Sequence, residues 1–116
     1  MKHDDAVRAL GSLAQETRLS IYRLLVKRGP GGFVPGDLAE KLAIPSPTLS
    51  FHLKELQQAR LVSVRRDGRY LYYSANFPEM HELVAYLSEN CCSLADETCA
   101  PDCKPVAAAT PGRKRA

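Results

Sequence analysis

Four cysteines close together near one end of the chain are the residues best suited to chemistry. Cys91, Cys92, Cys99 and Cys103 fall within 13 residues. Adjacent cysteines cannot easily join in a disulfide, because their Cα atoms lie about 3.8 Å apart, below the usual disulfide range. Three or four thiols on a foldable segment instead suit a soft, thiophilic centre.

Several bound species fit these thiols. Trivalent arsenic or antimony takes three sulfurs in a pyramid. Arsenite enters as a neutral hydroxide, so acidic neighbours do not oppose it. Those neighbours are Glu89, Asp96, Glu97 and Asp102. Four cysteines could also form a tetrahedral zinc or cadmium site, which acidic neighbours would favour. Two other interpretations are a regulatory disulfide through Cys99 or Cys103 and a tail whose thiols are inert or bind a structural zinc ion. The trivalent ion is the favoured interpretation.

The two adjacent cysteines can reach one atom only where a helix ends. Inside a helix, neighbouring side chains point about 100° apart. Asn90 precedes the pair and tolerates the left-handed backbone that terminates helices. The sequence therefore predicts that the last helix ends at Cys91 and Cys92, and that the following segment folds back with a third thiol.

The elements that would position these cysteines follow from apolar spacing and turn residues. The periodicity predicts helices over about 4–14, 17–28, 35–42, 46–59 and 78–90. Ser46 is expected to cap the fourth helix, with Pro47 at its first position. Strands are predicted over 61–66 and 69–75, around an Asp67-Gly68 turn. This order is that of a mainly α (α+β) winged helix-turn-helix domain, ααα(recognition α)ββα, in which a third strand remains an open variant.

A second group of residues could contact a polyanion. Short polar and basic side chains on helix 46–59 could reach base edges or phosphates in a major groove, and arginines on the hairpin suit phosphate or minor-groove contact. The predicted DNA-binding residues are Ser46, Thr48, Ser50, His52, Lys54, Arg65, Arg66 and Arg69. His52 could instead be a hydrogen-bonded framework residue. The other seven side chains could each simply be exposed to solvent. Their occurrence together, in the right order on one fold, favours DNA binding.

The charge distribution separates these two groups. The net charge is +5 over residues 1–76, −6 over 77–103 and +4 over 104–116. A basic part could meet nucleic acid while the acidic, thiol-rich part does something else. The 116 residues allow one core and exclude a large multi-domain enzyme. The polar start of the chain and the lack of a long apolar run predict a cytoplasmic protein, where thiols stay reduced.

The chain resembles the ArsR/SmtB family of bacterial metal-responsive repressors. The resemblance covers about residues 5–90 and lies in segments 19–25, 37–39, 46–56 and 61–70, of which SPTLSFHLKEL over 46–56 is the most specific. It implies a homodimer through the first and last helices. It also implies paired recognition helices on inverted-repeat operator DNA, and repression that an effector relieves.

The resemblance also bears on the effector site. Arsenic sensors of the family carry Cys-x-Cys before the recognition helix, a stretch that lacks cysteine here (34–38). Glu79 and His81 match only the start of the family's zinc motif on the last helix. The remaining likeness is to a subgroup whose arsenic ligands are an adjacent cysteine pair at the end of that helix plus one cysteine downstream. By this likeness the metal ligands come from Cys91, Cys92, Cys99 and Cys103, with Cys99 favoured over Cys103 as the third.

These observations predict a repressor that releases its operator on binding As(III) or Sb(III), with no cofactor required for DNA binding. A divalent-metal or thiol-redox repressor of the same fold is the alternative. The expected domains are 1–92 for DNA binding and dimerisation, 93–103 for the effector segment and 104–116 as a flexible basic tail. An enzyme is not expected, because the chain lacks a C-x-x-C in a βαβ setting, a Ser-His-Asp set and a nucleotide loop.

Overall fold

The computed structural model describes residues 1–95. Five helices and one hairpin follow in the predicted order. They are α1 (His3–Leu13), α2 (Glu16–Arg28), α3 (Pro35–Leu42), α4 (Ser46–Gln58), β1 (Val62–Asp67), β2 (Tyr70–Ala75) and α5 (Phe77–Ser88). The predicted mainly α, winged helix-turn-helix fold is confirmed. In the described part of the chain, no helix is long and apolar enough to cross a membrane.

The core forms where the apolar stripe of α4 meets the helices before it. Leu49, Leu53 and Leu56 are buried at the predicted spacing and pack with Ile21 and Leu25 of α2. Burial of a leucine side chain is worth about 1.5–3 kcal/mol, so this stripe fixes which face of α4 points inward. The opposite face of α4 is left at the surface.

The turn between α3 and α4 gives the helix-turn-helix its tight angle. Ala43 adopts a left-handed backbone with φ of 54°, and its N–H donates to the carbonyls of Ala39 and Glu40. The residue at the N-cap of α4 is Pro45, and the helix begins at Ser46 without a side-chain cap. The predicted capping role of Ser46 is therefore wrong by one position, because Ser46 itself is already helical.

The wing is a two-stranded antiparallel hairpin. Its register pairs Val62 with Ala75 and Asp67 with Tyr70. The two residues of the turn are therefore Gly68 and Arg69, one position later than predicted. Gly68 supplies the positive φ of 67° that this tight turn needs.

A short backbone contact ties the wing to the loop after α2. Phe33 and Tyr73 exchange two hydrogen bonds of 2.9 and 2.8 Å between their backbone groups, forming one isolated bridge where a third strand would lie. Gly32, directly before it, has φ of 76°, and a Cβ there would lie 2.6 Å from the carbonyl oxygen of Tyr73. Only glycine allows this approach of the loop to the hairpin.

Gly32→Ala should lower the free energy of unfolding by about 2 kcal/mol or more, because it combines a left-handed backbone with a collision against main-chain atoms. Gly31→Ala is the matched control, since a Cβ there meets nothing within 4 Å. It should change stability by no more than about 0.5 kcal/mol. Urea unfolding of both variants measures the difference. Equal stability of the two would show that the wing is not fixed by this contact.

Candidate DNA interface and thiol site

The outer face of α4 carries most of the residues predicted to contact DNA. Ser46, Thr48, Ser50 and Lys54 are all exposed. The hydroxyl-bearing residues lie in the first turns of the helix, where free backbone N–H groups and the helix dipole attract phosphate. This face can therefore offer hydrogen-bonding side chains to base edges and a positive end to the DNA backbone.

His52 departs from this arrangement. It lies on the buried side of α4 with 9% of its surface exposed. Its Nδ1 is 3.3 Å from Nη1 of Arg18 in α2. A guanidinium only donates hydrogen bonds, so Nδ1 must be the acceptor. The predicted direct contact of His52 with DNA does not fit this position, because the ring would have to leave the core to reach a groove.

Arg18, which was not singled out in the sequence, joins three helices. Its Nε donates to the carbonyl oxygen of Ser12 at 2.8 Å, at the end of α1, while Nη1 reaches His52 in α4. Its backbone N–H donates to the side chain of Gln15, the N-cap of α2, at 2.8 Å. Nothing in the local sequence marks this arginine, because its partners lie six and 34 residues away.

The His52 environment favours the neutral imidazole. Desolvation by burial and, next, the charge of Arg18 lower the pKa of His52 below its ordinary 6.5, and Glu55 opposes them in part. Protonation would also turn Nδ1 into a donor facing another donor. The hydrogen bond between Arg18 of α2 and His52 of α4 therefore depends on a neutral His52.

The three arginines of the wing are not equivalent. Arg65 is held against the protein, because its Nη2 donates to the carbonyl of Gly31 at 3.1 Å and its guanidinium lies 4.7 Å from the centre of the Tyr72 ring. Arg66 makes only a 3.5 Å contact with the carbonyl of Gly68. Arg69 is exposed at the turn. Of the three wing arginines, Arg66 and Arg69 are therefore the two that can reach DNA without breaking a strong contact within the protein.

The thiol site lies where α5 ends. Asn90 and Cys92 have positive φ values of 58° and 64°, so the left-handed backbone expected at Asn90 is present. The predicted end of the helix at residue 90 is two residues too late, because α5 ends at Ser88 and its C-cap, Glu89, is already extended. This geometry brings the two Sγ atoms of Cys91 and Cys92 to 3.4 Å, too far for a bond between them. Each of the two cysteines makes another interaction besides this contact between them. Cys92 takes part in a disulfide.

Two of the four predicted metal ligands are not among the residues that the structure describes. Cys99 and Cys103 lie beyond Ala95 and thus outside the described residues. Within residues 1–95, no group of three His, Cys, Asp or Glu side chains is arranged to hold a metal ion. Of the predicted ligands, the described residues therefore contain Cys91 and Cys92.

Contacts in the middle and C-terminal half of α5 join it to α1. Nδ1 of His3 and the hydroxyl of Tyr86 form a hydrogen bond of 2.7 Å, and the amino group of Met1 lies 3.3 Å from a carboxylate oxygen of Glu82. Both helices also present large apolar side chains at the surface. These are Val7 and Leu10 on α1 and Val84 and Leu87 on α5, exposed by 42–60%.

A hairpin beside a helix-turn-helix whose second helix presents a polar face defines a winged helix-turn-helix DNA-binding protein. Comparison with known proteins agrees. A family model described as a helix-turn-helix domain matches residues 13–65. The nodulation protein NolR of Rhizobium meliloti is 35% identical over 90% of this chain and 84% of its own. An arsenical resistance operon repressor of Staphylococcus xylosus is 32% identical over 86% and 91%.

A solved structure shows the same fold. It is the homodimeric winged helix-turn-helix domain of a possible ArsR-family regulator from Mycobacterium bovis, with a TM-score of 0.61 and 28% identity over 84% of this chain and 83% of that one. The present chain belongs to the ArsR family of transcriptional regulators. It is a DNA-binding regulator and not an enzyme, as the sequence predicted.

Lowering the pH should reduce the stability of the folded protein through protonation of His52. Because folding lowers the pKa of His52, the unfolded chain binds more protons below pH 6.5, and the free energy of unfolding falls as the pH drops. His52→Gln, which keeps an acceptor oxygen, should show a smaller loss between pH 7.5 and 5.5 in thermal unfolding. His81→Gln, at an exposed histidine, is the control and should follow the parent. Parallel curves for the parent and His52→Gln would contradict this account.

Arg66→Ala and Arg69→Ala should each weaken DNA binding and lower the slope of log K against log salt by about one for each phosphate that is no longer neutralised. Fluorescence anisotropy across a salt series measures both. Arg65→Ala is the comparison within the same hairpin. Because Arg65 donates to the carbonyl of Gly31, Arg65→Ala should lower the stability of the fold. It should change the salt slope less than Arg66→Ala or Arg69→Ala does. Unchanged binding in both Arg66→Ala and Arg69→Ala would remove the wing from the interface.

Proposed function

We propose that this regulator is a repressor that releases its operator when trivalent arsenic or antimony binds Cys91, Cys92 and a third thiol, Cys99. The observation that carries the proposal is the 3.4 Å separation of the first two sulfurs at the end of α5. Two sulfurs each about 2.3 Å from one bound atom lie about 3.3–3.8 Å apart for angles of roughly 90–110° at that atom. Once the disulfide at Cys92 is reduced, a pair of sulfurs at this spacing suits a shared ion.

The charge of the segment favours a neutral effector. Residues 77–103 contain six acidic and no basic residues. Arsenite in its hydroxide form is uncharged, and its exchange with three thiols releases three waters and leaves the charge of the site unchanged. The relative that represses an arsenical resistance operon supports the same class of effector.

We further propose that the repressor is a homodimer that pairs through α1 and α5. The exposed apolar residues on these two helices form the kind of patch that marks a protein contact, and the M. bovis relative is homodimeric. A two-fold dimer carries two recognition helices, so its operator would be an inverted repeat with half-sites about one helical turn apart. Domain roles then follow as residues 1–92 for DNA binding and dimerisation, 93–103 for the effector and 104–116 as a basic tail.

A thiol-redox repressor is the second candidate. The disulfide at Cys92 favours this candidate, because a repressor that senses oxidation would switch by forming such a bond. The same sulfur is one of the proposed arsenic ligands. A divalent zinc or cadmium site would need all four cysteines. Effector titrations of the reduced protein separate these possibilities.

The reduced protein should release a fluorescent operator duplex when arsenite or antimonite is added, and should respond less to zinc or cadmium. A phosphine reductant is required, because dithiols would bind the arsenite. A coupling of about 1–3 kcal/mol corresponds to a 5–150-fold loss of DNA affinity. Cys91→Ser, Cys92→Ser and Cys99→Ser should each abolish this response while leaving DNA binding intact.

Cys103→Ser is the matched control and should keep most of the response. The opposite ranking of Cys99→Ser and Cys103→Ser would assign the third sulfur to Cys103. Retention of DNA by the reduced protein at saturating arsenite would refute the arsenic proposal. Release by diamide alone, reversed by reductant, would instead support the redox candidate.

A further inference from the structure

Phe51 occupies an unusual place on the recognition helix α4. It is 57% exposed, whereas the next two residues, His52 and Leu53, are buried. Its exposed neighbours one turn away are Thr48 and Lys54. Single exposed apolar residues are common on proteins, but this one lies in the middle of the helix face that the fold presents to DNA.

The chemistry of a phenyl ring limits what it can read in a major groove. It neither donates nor accepts a conventional hydrogen bond, so it gains nothing from the polar base edges and leaves them less hydrated. Thymine alone displays a methyl group there, at C5, which apolar side chains contact. An exposed phenylalanine on this face therefore matches a thymine better than any other base.

We propose that Phe51 is a specificity-determining residue that packs against the C5 methyl group of a thymine in each half-site. The proposal rests on α4 entering the major groove and does not involve the cysteines or the effector. Thr48 and Lys54, one turn to either side, would supply the polar contacts that fix the register of the ring on the DNA.

Two other uses of Phe51 are less well supported. The ring lies 5.4 Å from that of His52 in an edge-on arrangement, so it could help to hold His52 in place. A role in dimerisation is disfavoured, because the exposed apolar side chains of α1 and α5 form that surface elsewhere. The contact with His52 would affect stability and all DNA sequences alike, whereas a methyl contact affects one base.

Thymine-to-uracil replacement tests the methyl contact directly. The protein first selects its preferred duplex from a random pool, without arsenite. Each thymine of that duplex is then replaced by deoxyuridine, which lacks only the C5 methyl group. At one symmetry-related thymine, the replacement should weaken binding of the parent protein by about fourfold per half-site, the value of one buried carbon group.

Phe51→Ala should bind the thymine duplex more weakly and should lose this sensitivity to uracil, so that the two changes are not additive. Phe51→Leu should retain it in part. Lys54→Ala is the matched control and should weaken both duplexes equally. Thermal unfolding checks that Phe51→Ala remains folded, as expected for an exposed residue.

The proposal is overturned if no thymine shows the effect, or if Phe51→Ala keeps the full uracil penalty. A selection that returns no preferred sequence would refute the placement of α4 in the groove, and with it the role of Phe51. Absence of the uracil effect leaves the arsenic proposal untouched, because no effector is present and the release titration tests that proposal separately. A selection without a preferred sequence would count against both proposals, because a repressor needs an operator.

Discussion

The burial of one face of α4 is the constraint on which the rest of the structure depends. Leu49, Leu53 and Leu56 hold that face in the core, and His52 lies among them in contact with Arg18. A helix has only one orientation that satisfies such a stripe. The same packing that stabilises the domain therefore decides that Ser50, Phe51 and Lys54 face outward, on the exposed side of the helix.

A chain of contacts also connects this helix with the end of α5. The Tyr86–His3 hydrogen bond joins α5 to α1, the carbonyl of Ser12 at the end of α1 receives the Arg18 guanidinium, and Arg18 reaches His52 in α4. Packed elements transmit a displacement when they have two discrete arrangements. A shift of α5 against α1 would reach His52, on the buried side of α4, only if these contacts have a second arrangement.

The order of the elements and the core stripe could be predicted from the sequence, because helical spacing and turn residues are local signals. The left-handed backbone at Asn90 was predictable for the same reason, although α5 ends two residues earlier, at Ser88. The inward position of His52 and the retention of Arg65 by Gly31 were not, because both depend on partners 34 residues away. The hairpin turn was misplaced by one residue, since pairing of Asp67 with Tyr70 and not the Asp-Gly dipeptide alone sets the register. Cys99 and Cys103 lie outside the described residues, so the choice between them stays a prediction.

The winged domain and the site that would bind an effector are separate features of this chain. A nodulation protein and an arsenical resistance repressor share similar identity with this chain, so the winged domain by itself does not specify an effector. This chain carries a pair of sulfurs just beyond the end of α5, a helix whose exposed Val84 and Leu87 suit contact with a second copy. An ion that drew these sulfurs and a third one together would reorder the end of that helix. In a dimer joined through α5, it would act on both recognition helices at once, because their spacing is set by that interface.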